Sequence, residues 1–402
     1  MQHDPEQFAG TRARYCPTFA AKYIWCVVLV IAAVVTLRWL GSVSTWHMTH
    51  WSFTYEHGFI KRGLVGDITS RLFGAATPQI IYRSVLAIFI LLMIALTCWV
   101  TKPAWNSNRA GAWLFAILAV TSPATIPHLE YDFGRFDQIN LLILLTCLFI
   151  LSKPSKLLRY SLIPPLCAIA LLIHEAFFLM FAPLIIAAWT YEEAFQRVWP
   201  KLFILTILFL LVLTLDRYGI MHTISEKDYM AELQQRHSFR IHPDSIHVLY
   251  RTIKENISFN VDELRKYALP NTTHHIVFVL TLLPTLALFY RITVALCCYG
   301  RTVENVGRLS LILAALSPLS LCALASDFFR FWAIALTNLF VIYAYLATRL
   351  KRENILANVV EDSPVIVACI LALSLIFGPL GIMVESYPFI NLWFLPGWNF
   401  TW

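Results

Sequence analysis

The chain has 402 residues, of which 58% are hydrophobic and only 14% are charged. Soluble proteins carry roughly 25% charged residues, so this composition excludes an ordinary soluble domain and predicts a polytopic membrane protein. The net charge of +7 therefore concerns orientation in the bilayer and anionic headgroups, and no nucleic-acid partner is expected.

Apolar segments recur along the chain, and a membrane-spanning helix needs about 20 such residues. They predict an all-α fold, a single transmembrane bundle over 1–402 with about eleven spans. The candidate spans are 22–40, 79–100, 110–122, 138–152, 159–173, 176–190, 201–216, 274–290, 306–324, 330–348 and 364–383.

The distribution of lysine and arginine predicts the orientation. One alternating set of loops is short and basic, from Arg12 and Arg14 before the first span to Lys351 and Arg352 near the end. Short basic loops are typical of the cytoplasmic side. The tail 1–21 is therefore predicted to be cytoplasmic and, with eleven spans, the tail 384–402 to lie outside.

The opposite set of loops contains nearly all the chemically unusual residues. These are the first outer loop 41–78, the second outer loop 123–137, a tight corner at His174–Glu175, the large outer loop 217–273, and Ser326–Arg330. Every histidine except His3 falls on this side. Within the large loop, 226–236 and 244–256 have the apolar spacing of amphipathic helices at a membrane surface.

The segment 55–66 is the first candidate site. It contains one acid, two adjacent bases and three of the chain's 14 glycines. Glu56 is a candidate catalytic base, and Lys61 with Arg62 suit a phosphate. The alternative is an interfacial loop whose bases lie among lipid headgroups. Two further candidates follow this segment: Asp67 as an acid and Arg71 as a phosphate contact.

The second candidate site is Glu130, Asp132, Arg135 and Asp137, at the mouth of an apolar span. An acid that caps a helix beginning at 135–138 explains Asp132 alone. It does not explain why three acids and an arginine occur at a membrane boundary, where placing a charge costs free energy. The three acids are therefore candidate catalytic residues, and Arg135 is a candidate phosphate ligand.

Two short segments complete the set. His174 and Glu175 interrupt an apolar run, either as a polar helix–helix turn or as catalytic residues. Asp327 and Arg330 are spaced to pair locally on a helix, and Arg330 is also a candidate phosphate ligand. Walker A, GxGxxG, GxSxG and HExxH motifs are absent from the sequence.

This layout resembles the GT-C class of polytopic glycosyltransferases, which have many spans, an acid-bearing first outer loop and a large later outer loop. The motif-level similarity consists of Glu56 (or Asp67) and the group Glu130, Asp132 and Asp137. The segments 55–66 and 132–137 are also similar to proteins of bacterial surface-polysaccharide clusters. The resemblance implies a multi-pass protein of the bacterial inner membrane, with a periplasmic site that takes polyprenyl-phosphate-linked sugars.

In the expected reaction, Glu56 or Asp132 deprotonates the hydroxyl of a glycan or lipid-linked acceptor, and the anomeric carbon is attacked with inversion. The four basic candidates hold the leaving phosphate, and His174 and Glu175 orient the acceptor or the base. The large loop covers the site. No cofactor is predicted; the acids could hold Mg²⁺ or Mn²⁺, but their spacing does not indicate a metal site. The histidines expected to grip the acceptor are His222, His237, His242 and His247.

Three alternatives remain from the sequence. A surface-polysaccharide polymerase would use the same displacement with another acceptor. An outer-facing acyltransferase would make His174 the catalytic residue. A flippase of lipid-linked sugars is expected to place charges along a transmembrane path, and the predicted mid-span regions are nearly free of charge.

Overall fold

A computed structural model of the chain is entirely helical in the part it describes, with 80% helix and no strands there. The described residues are 19–37, 41–74, 76–107, 109–193, 198–263, 272–297, 302–325, 327–376 and 379–380. Most of the predicted cytoplasmic tail 1–21 and the whole predicted outer tail 384–402 lie outside these residues.

The helices follow one another with short connections, as the alternation of apolar runs and polar loops predicts. A 3-10 helix at Ser317–Ala323 follows α16. The α-helices are α1 (Phe19–Thr36), α2 (Thr45–His50), α3 (Gly63–Phe73), α4 (Pro78–Ser107), α5 (Ala110–Thr121), α6 (Ile126–Tyr131), α7 (Asp137–Leu151), α8 (Lys156–Ile173), α9 (Phe177–Met180), α10 (Ala182–Glu192), α11 (Val198–Tyr218), α12 (Glu226–Arg236), α13 (Pro243–Tyr250), α14 (Ile253–Glu263), α15 (Thr272–Cys297), α16 (Thr302–Ala315), α17 (Phe328–Arg349), α18 (Glu353–Glu361) and α19 (Pro364–Ile376).

Six helices in the described part are long and apolar enough to cross a membrane, or eight if each of two bent helix pairs forms one span. Several long apolar helices of this kind indicate a membrane protein. Each predicted span overlaps a helix, but the segments 22–40, 138–152 and 176–190 correspond to shorter ones. The count of eleven therefore stays a prediction, as does the orientation.

Helix α17 is the centre of the bundle. Its most apolar 18-residue window is 89% buried, whereas that of α11 is 22% buried. A helix that is apolar all round belongs in a protein interior or a membrane. The exposed apolar side chains of α1, α4 and α11 therefore form the surface that lipid would contact, and α17 is shielded from it.

Ion pairs gather several helix ends on one side of the bundle. Glu192 at the end of α10 pairs with Arg349 at the end of α17 and lies 3.9 Å from Arg159 near the start of α8. Glu193 pairs with Lys201 near the start of α11. The other ends of α8 and α17 lie a helix length away, about 30 Å for 20 residues, and they carry candidate site residues.

Candidate functional site

A buried ion-pair network joins the second outer loop to the start of α17. Arg330 donates to both carboxylate oxygens of Asp137, at 2.6 and 2.8 Å, and to Asp327 at 3.1 Å. Arg135 donates to Asp327 at 2.8 Å and to Asp132 at 3.3 Å. Burial alone would raise the pKa of Asp327, but the two guanidinium groups hold that pKa below its usual value. The local pair expected between Asp327 and Arg330 exists, and a nonlocal partner adds to it.

The backbone between α6 and α7 allows this arrangement. Gly134 has φ +99°, a left-handed conformation that side chains rarely adopt, and a Cβ there would lie 2.9 Å from Val43. The resulting turn brings Asp132, at the end of α6, close to Asp137, at the start of α7. The hypothesis that Asp132 caps the helix at 135–138 is wrong, because the residue preceding α7 is Phe136 and makes no side-chain cap.

A second ion pair joins the first outer loop to the corner after α8. Both oxygens of Glu175 accept hydrogen bonds from Arg62, and the Nε of Arg62 lies 3.1 and 3.0 Å from them. Arg62 adopts φ 61° at the start of α3, which is uncommon for a residue other than glycine and often marks a functional position. Burial would raise the pKa of Glu175, but Arg62 holds it well below its usual value.

Three buried histidines lie where the two halves of the network approach each other. His50 contacts Arg62 at 3.2 Å, and His174 follows α8 directly. His47 interacts electrostatically with Asp132 and Arg135. Burial lowers the pKa of His47 to about 4 and that of His174 to about 3, and it lowers the pKa of His50 as well. All three are therefore neutral near pH 7.

Hydrogen bonds assign the tautomers of two of these histidines. Nδ1 of His50 lies 3.0 Å from the carbonyl of Trp46 and must carry the proton, so its Nε2 accepts from Arg62. Nδ1 of His174 accepts from the backbone N–H of Ala176 at 3.1 Å. The proton of neutral His174 is therefore on Nε2, which can donate but has no lone pair with which to act as a base.

Asp132 differs from Asp137 and Glu175 in its hydrogen bonding. Asp137 and Glu175 each use both oxygens to bind an arginine. Within the described part of the chain, Oδ1 of Asp132 is buried and has no hydrogen-bond partner. Its Oδ2 lies 3.6 Å from Nε2 of His128, whose Nδ1 is bonded to the carbonyl of Leu380. Asp132 therefore retains an oxygen able to accept a proton.

The remaining predicted residues take other positions. Glu130 is buried beside this group on α6, with 1% of its surface exposed. Lys61 is also buried and donates to the carbonyl of Arg251, 2.5 Å away, and burial lowers its pKa. Glu56 is half-exposed and pairs with Arg236 of α12, outside the network. Lys61 also interacts electrostatically with Glu175. The structure therefore unites nine of the ten predicted residues in or beside the network and separates Glu56 from it.

His47 and His50 were not among the predicted site residues, although histidines were predicted to cluster on this side. A signal was present, because Ser44 is followed by histidines at the third and sixth positions. Ser44 caps α2, and its hydroxyl contacts Nδ1 of His47 at 2.9 Å. Residues three apart share one helix face, so both rings point to the same side. The ring of Trp46, which precedes His47 in sequence, lies 5.0 Å from the guanidinium of Arg135.

The network is closed in this conformation. The cavity beside Asp132, Arg135 and Asp137 measures about 10 Å³, close to the space that one water molecule needs. Among the described residues, no group of three or more histidines, cysteines or acids is arranged to hold a metal ion. A substrate could reach Asp132 only if the surrounding segments moved apart.

Fold and site together define an all-helical protein with membrane-spanning candidates and a buried acid–arginine–histidine network at one end of the bundle. No family model, no curated protein and no solved structure matches the chain.

Proposed function

We propose that the protein is an integral membrane glycosyltransferase that takes a sugar from a polyprenyl-phosphate donor at the extracytoplasmic face of a bacterial inner membrane. It acts in the assembly or modification of a surface polysaccharide. The observation that supports this proposal is the available oxygen of buried Asp132, which lies within a network that also contains Arg135 and Arg330. Glycosyl transfer needs a base for the acceptor and fixed positive charge for the departing phosphate.

In the proposed reaction, an acceptor hydroxyl gives its proton to Oδ1 of Asp132 as its oxygen attacks the anomeric carbon. A new glycosidic bond forms with inversion, and the bond between the anomeric carbon and the phosphate oxygen breaks. The polyprenyl phosphate leaves with the bonding electron pair. The proton taken from the acceptor is held on Oδ1 of Asp132.

Arg62 and Arg135 each have an N–H group that is not hydrogen-bonded to a carboxylate and could bind the phosphate. Each guanidinium has five N–H groups, and the Nε of Arg135 has no hydrogen-bond partner in the described structure. Nη1 of Arg62 contacts Nε2 of neutral His50 at 3.2 Å. A phosphate entering between the two halves of the network could therefore bind Nη1 of Arg62 without displacing a carboxylate, and at Nε of Arg135 it would approach Asp137, whose oxygen lies 3.7 Å away.

The test is transfer by the purified protein in proteoliposomes. A panel of radiolabelled polyprenyl-phosphate hexoses is supplied with acceptor membranes from cells that lack the protein, and labelled glycan is measured. We expect Asp132→Asn to lower the rate by about 100-fold or more, since general base catalysis typically contributes 10²–10⁴. Asn keeps the size of the side chain but cannot take the proton.

The matched control is Asp244→Asn on α13, whose side chain is 75% exposed. It should transfer at the wild-type rate. Equal rates for wild type and Asp132→Asn, with both proteins folded, would remove Asp132 from the mechanism. Absence of transfer from every donor would overturn the proposed function itself.

Among the alternatives, the polymerase differs only in its acceptor and is tested by the same assay with lipid-linked repeat units. The acyltransferase is less favoured, because His174 accepts a backbone N–H at Nδ1 and so lacks a free lone pair when neutral. A flippase would leave the Asp132→Asn variant with donor on the inner leaflet, whereas a transferase defect leaves donor accumulated outside.

A further inference from the structure

A second, larger cavity lies between α3 and α12, on the other side of Trp51 from the ion-pair network. Its volume is about 530 Å³, the size of a small-molecule site. Trp51 lines this cavity and also donates from Nε1 to the carbonyl of Gly134, 2.9 Å away and next to Arg135. The cavity and the network therefore share one wall.

The charged groups that line this cavity neutralise one another. Glu56 pairs with Arg236, and Asp67 accepts from the Nε of Arg71 at 2.7 Å. Burial raises the pKa of the Tyr55 phenol to about 12, so its hydroxyl stays protonated and neutral. The lining thus has no net charge, but it offers paired carboxylates, guanidinium groups and hydroxyls. Such a lining suits a neutral molecule with many hydroxyl groups better than an anion.

The helix that forms one side of the cavity also has an apolar outer surface. On α3, Gly66, Asp67 and Ser70 face the cavity, whereas Ile68 and Leu72 are 48% and 69% exposed. Helix α3 packs against α8, a candidate span. Exposed aliphatic side chains on a helix beside a span are typical of a helix at the membrane interface. A ligand in the cavity would then reach it from the headgroup region.

We infer that this cavity, between α3 and α12, binds the headgroup of an uncharged sugar-bearing lipid. The inference rests on the proposed function, for which it specifies a lipid-linked acceptor rather than a soluble glycan. The lipid is recognised by hydrogen bonds from its sugar hydroxyls to the neutralised carboxylate–guanidinium pairs. The position of Trp51 places such an acceptor one side chain away from the Asp132 network.

The test is lipid retention by the full-length protein in nanodiscs of phosphatidylcholine that contain equal minor amounts of glucosyl-diacylglycerol and phosphatidylglycerol. Native mass spectrometry counts the lipids that stay bound. We expect the glucosyl lipid to be retained in preference. Ser70→Trp places an indole in the cavity and should lower glucosyl-lipid retention about tenfold, equivalent to ~1.4 kcal/mol. Ser161→Trp, at an exposed position on α8, is the matched control and should have no effect.

A second variant keeps the test valid if Ser70→Trp fails to fold. Asp67→Asn keeps the shape of the side chain and removes the carboxylate that pairs with Arg71. The lining then has one excess positive charge, so retention should shift toward phosphatidylglycerol. Preference of the wild type for phosphatidylglycerol, or no change in either variant, would overturn the inference. Retention requires no sugar transfer. If the protein retains the glucosyl lipid but transfers no sugar, only the proposed function is contradicted. If it transfers sugar but does not retain the glucosyl lipid, only the acceptor site is contradicted.

Discussion

Asp137 and Asp132 belong to one network, but we expect them to have different roles, and Asp137→Asn tests this difference. Asp137 holds Arg330 through two hydrogen bonds of 2.6 and 2.8 Å, and both side chains are about 95% buried. Asparagine keeps the shape of the side chain and removes its charge. Arg330 then keeps only Asp327, which is 24% exposed, as a close carboxylate partner in the described structure.

The size of the effect follows from desolvation. Removing one partner of a buried ion pair costs about 3–5 kcal/mol, because the other charge stays buried without compensation. Since Asp327 still compensates part of the charge on Arg330, we expect a loss near the lower limit, about 3 kcal/mol. Asp132→Asn should change stability much less, because the hydrogen bond of Asp132 to Arg135 is 3.3 Å long and its next contact, at 3.6 Å, is with the imidazole of His128.

The assay is equilibrium unfolding in mixed micelles, as a double-mutant cycle with Arg330→Met. The double variant buries neither charge, so its loss should be smaller than the sum of the single losses by about 1–3 kcal/mol. The exposed control Asp244→Asn should stay within about 0.5 kcal/mol of wild type. A loss below about 1 kcal/mol for Asp137→Asn, or additive single losses, would show that this pair does not hold the site together.

Two further predictions concern the stability of the outer segments. The pKa of His47 and that of His174 are lowered by burial to about 4 and about 3, from 6.5. The unfolded chain therefore takes up protons first, and stability should fall as pH decreases below 6.5, by roughly 1 kcal/mol per histidine at pH 5.5. Melting curves between pH 7.5 and about 5.5 check this, and His174→Asn should flatten the dependence; an unchanged slope would contradict it. Gly66→Ala should destabilise the fold by at least about 1–3 kcal/mol, because the new Cβ would lie 2.1 Å from the carbonyl oxygen of Phe53. Ser161→Ala serves as its control in the same melts, and equal melting of the two variants would argue against this close contact.

Composition and apolar periodicity predicted the helical class, and every predicted span overlaps a helix. One loop helix was also predicted closely, since 226–236 corresponds to α12 at Glu226–Arg236. The span count of eleven stays a prediction. The segment 138–152 forms a helix too short to cross a membrane by length alone, and its packing against α4, α8 and α10 decides how it is accommodated.

The convergence of Glu56, Asp132, His174 and Arg330 was predicted from a simple rule, and the structure brings together the last three of these residues. Charges at the edges of apolar runs are expensive unless they meet partners, and all four lie on the side opposite the basic loops. The choice of partners could not be predicted. Arg330 binds Asp137, 193 positions earlier, at shorter distances than Asp327, and Glu56 binds Arg236 of the large loop instead of joining the network. Sequence spacing reports only local pairs, whereas these pairs depend on the tertiary fold.

The charge balance of the network bears on its chemistry. Four carboxylates (Asp132, Asp137, Glu175 and Asp327) pair with three guanidinium groups (Arg62, Arg135 and Arg330), and the histidines between them are neutral near pH 7 because burial lowers each pKa. Buried Lys61 also acts electrostatically on Glu175, and buried Glu130 lies beside the group, so the ion pairs alone do not fix the net charge of the site. Oδ1 of Asp132 is buried without a hydrogen-bond partner. An oxocarbenium-like transition state is positive at the sugar, and in the proposed reaction a carboxylate at this position would stabilise that charge as it develops.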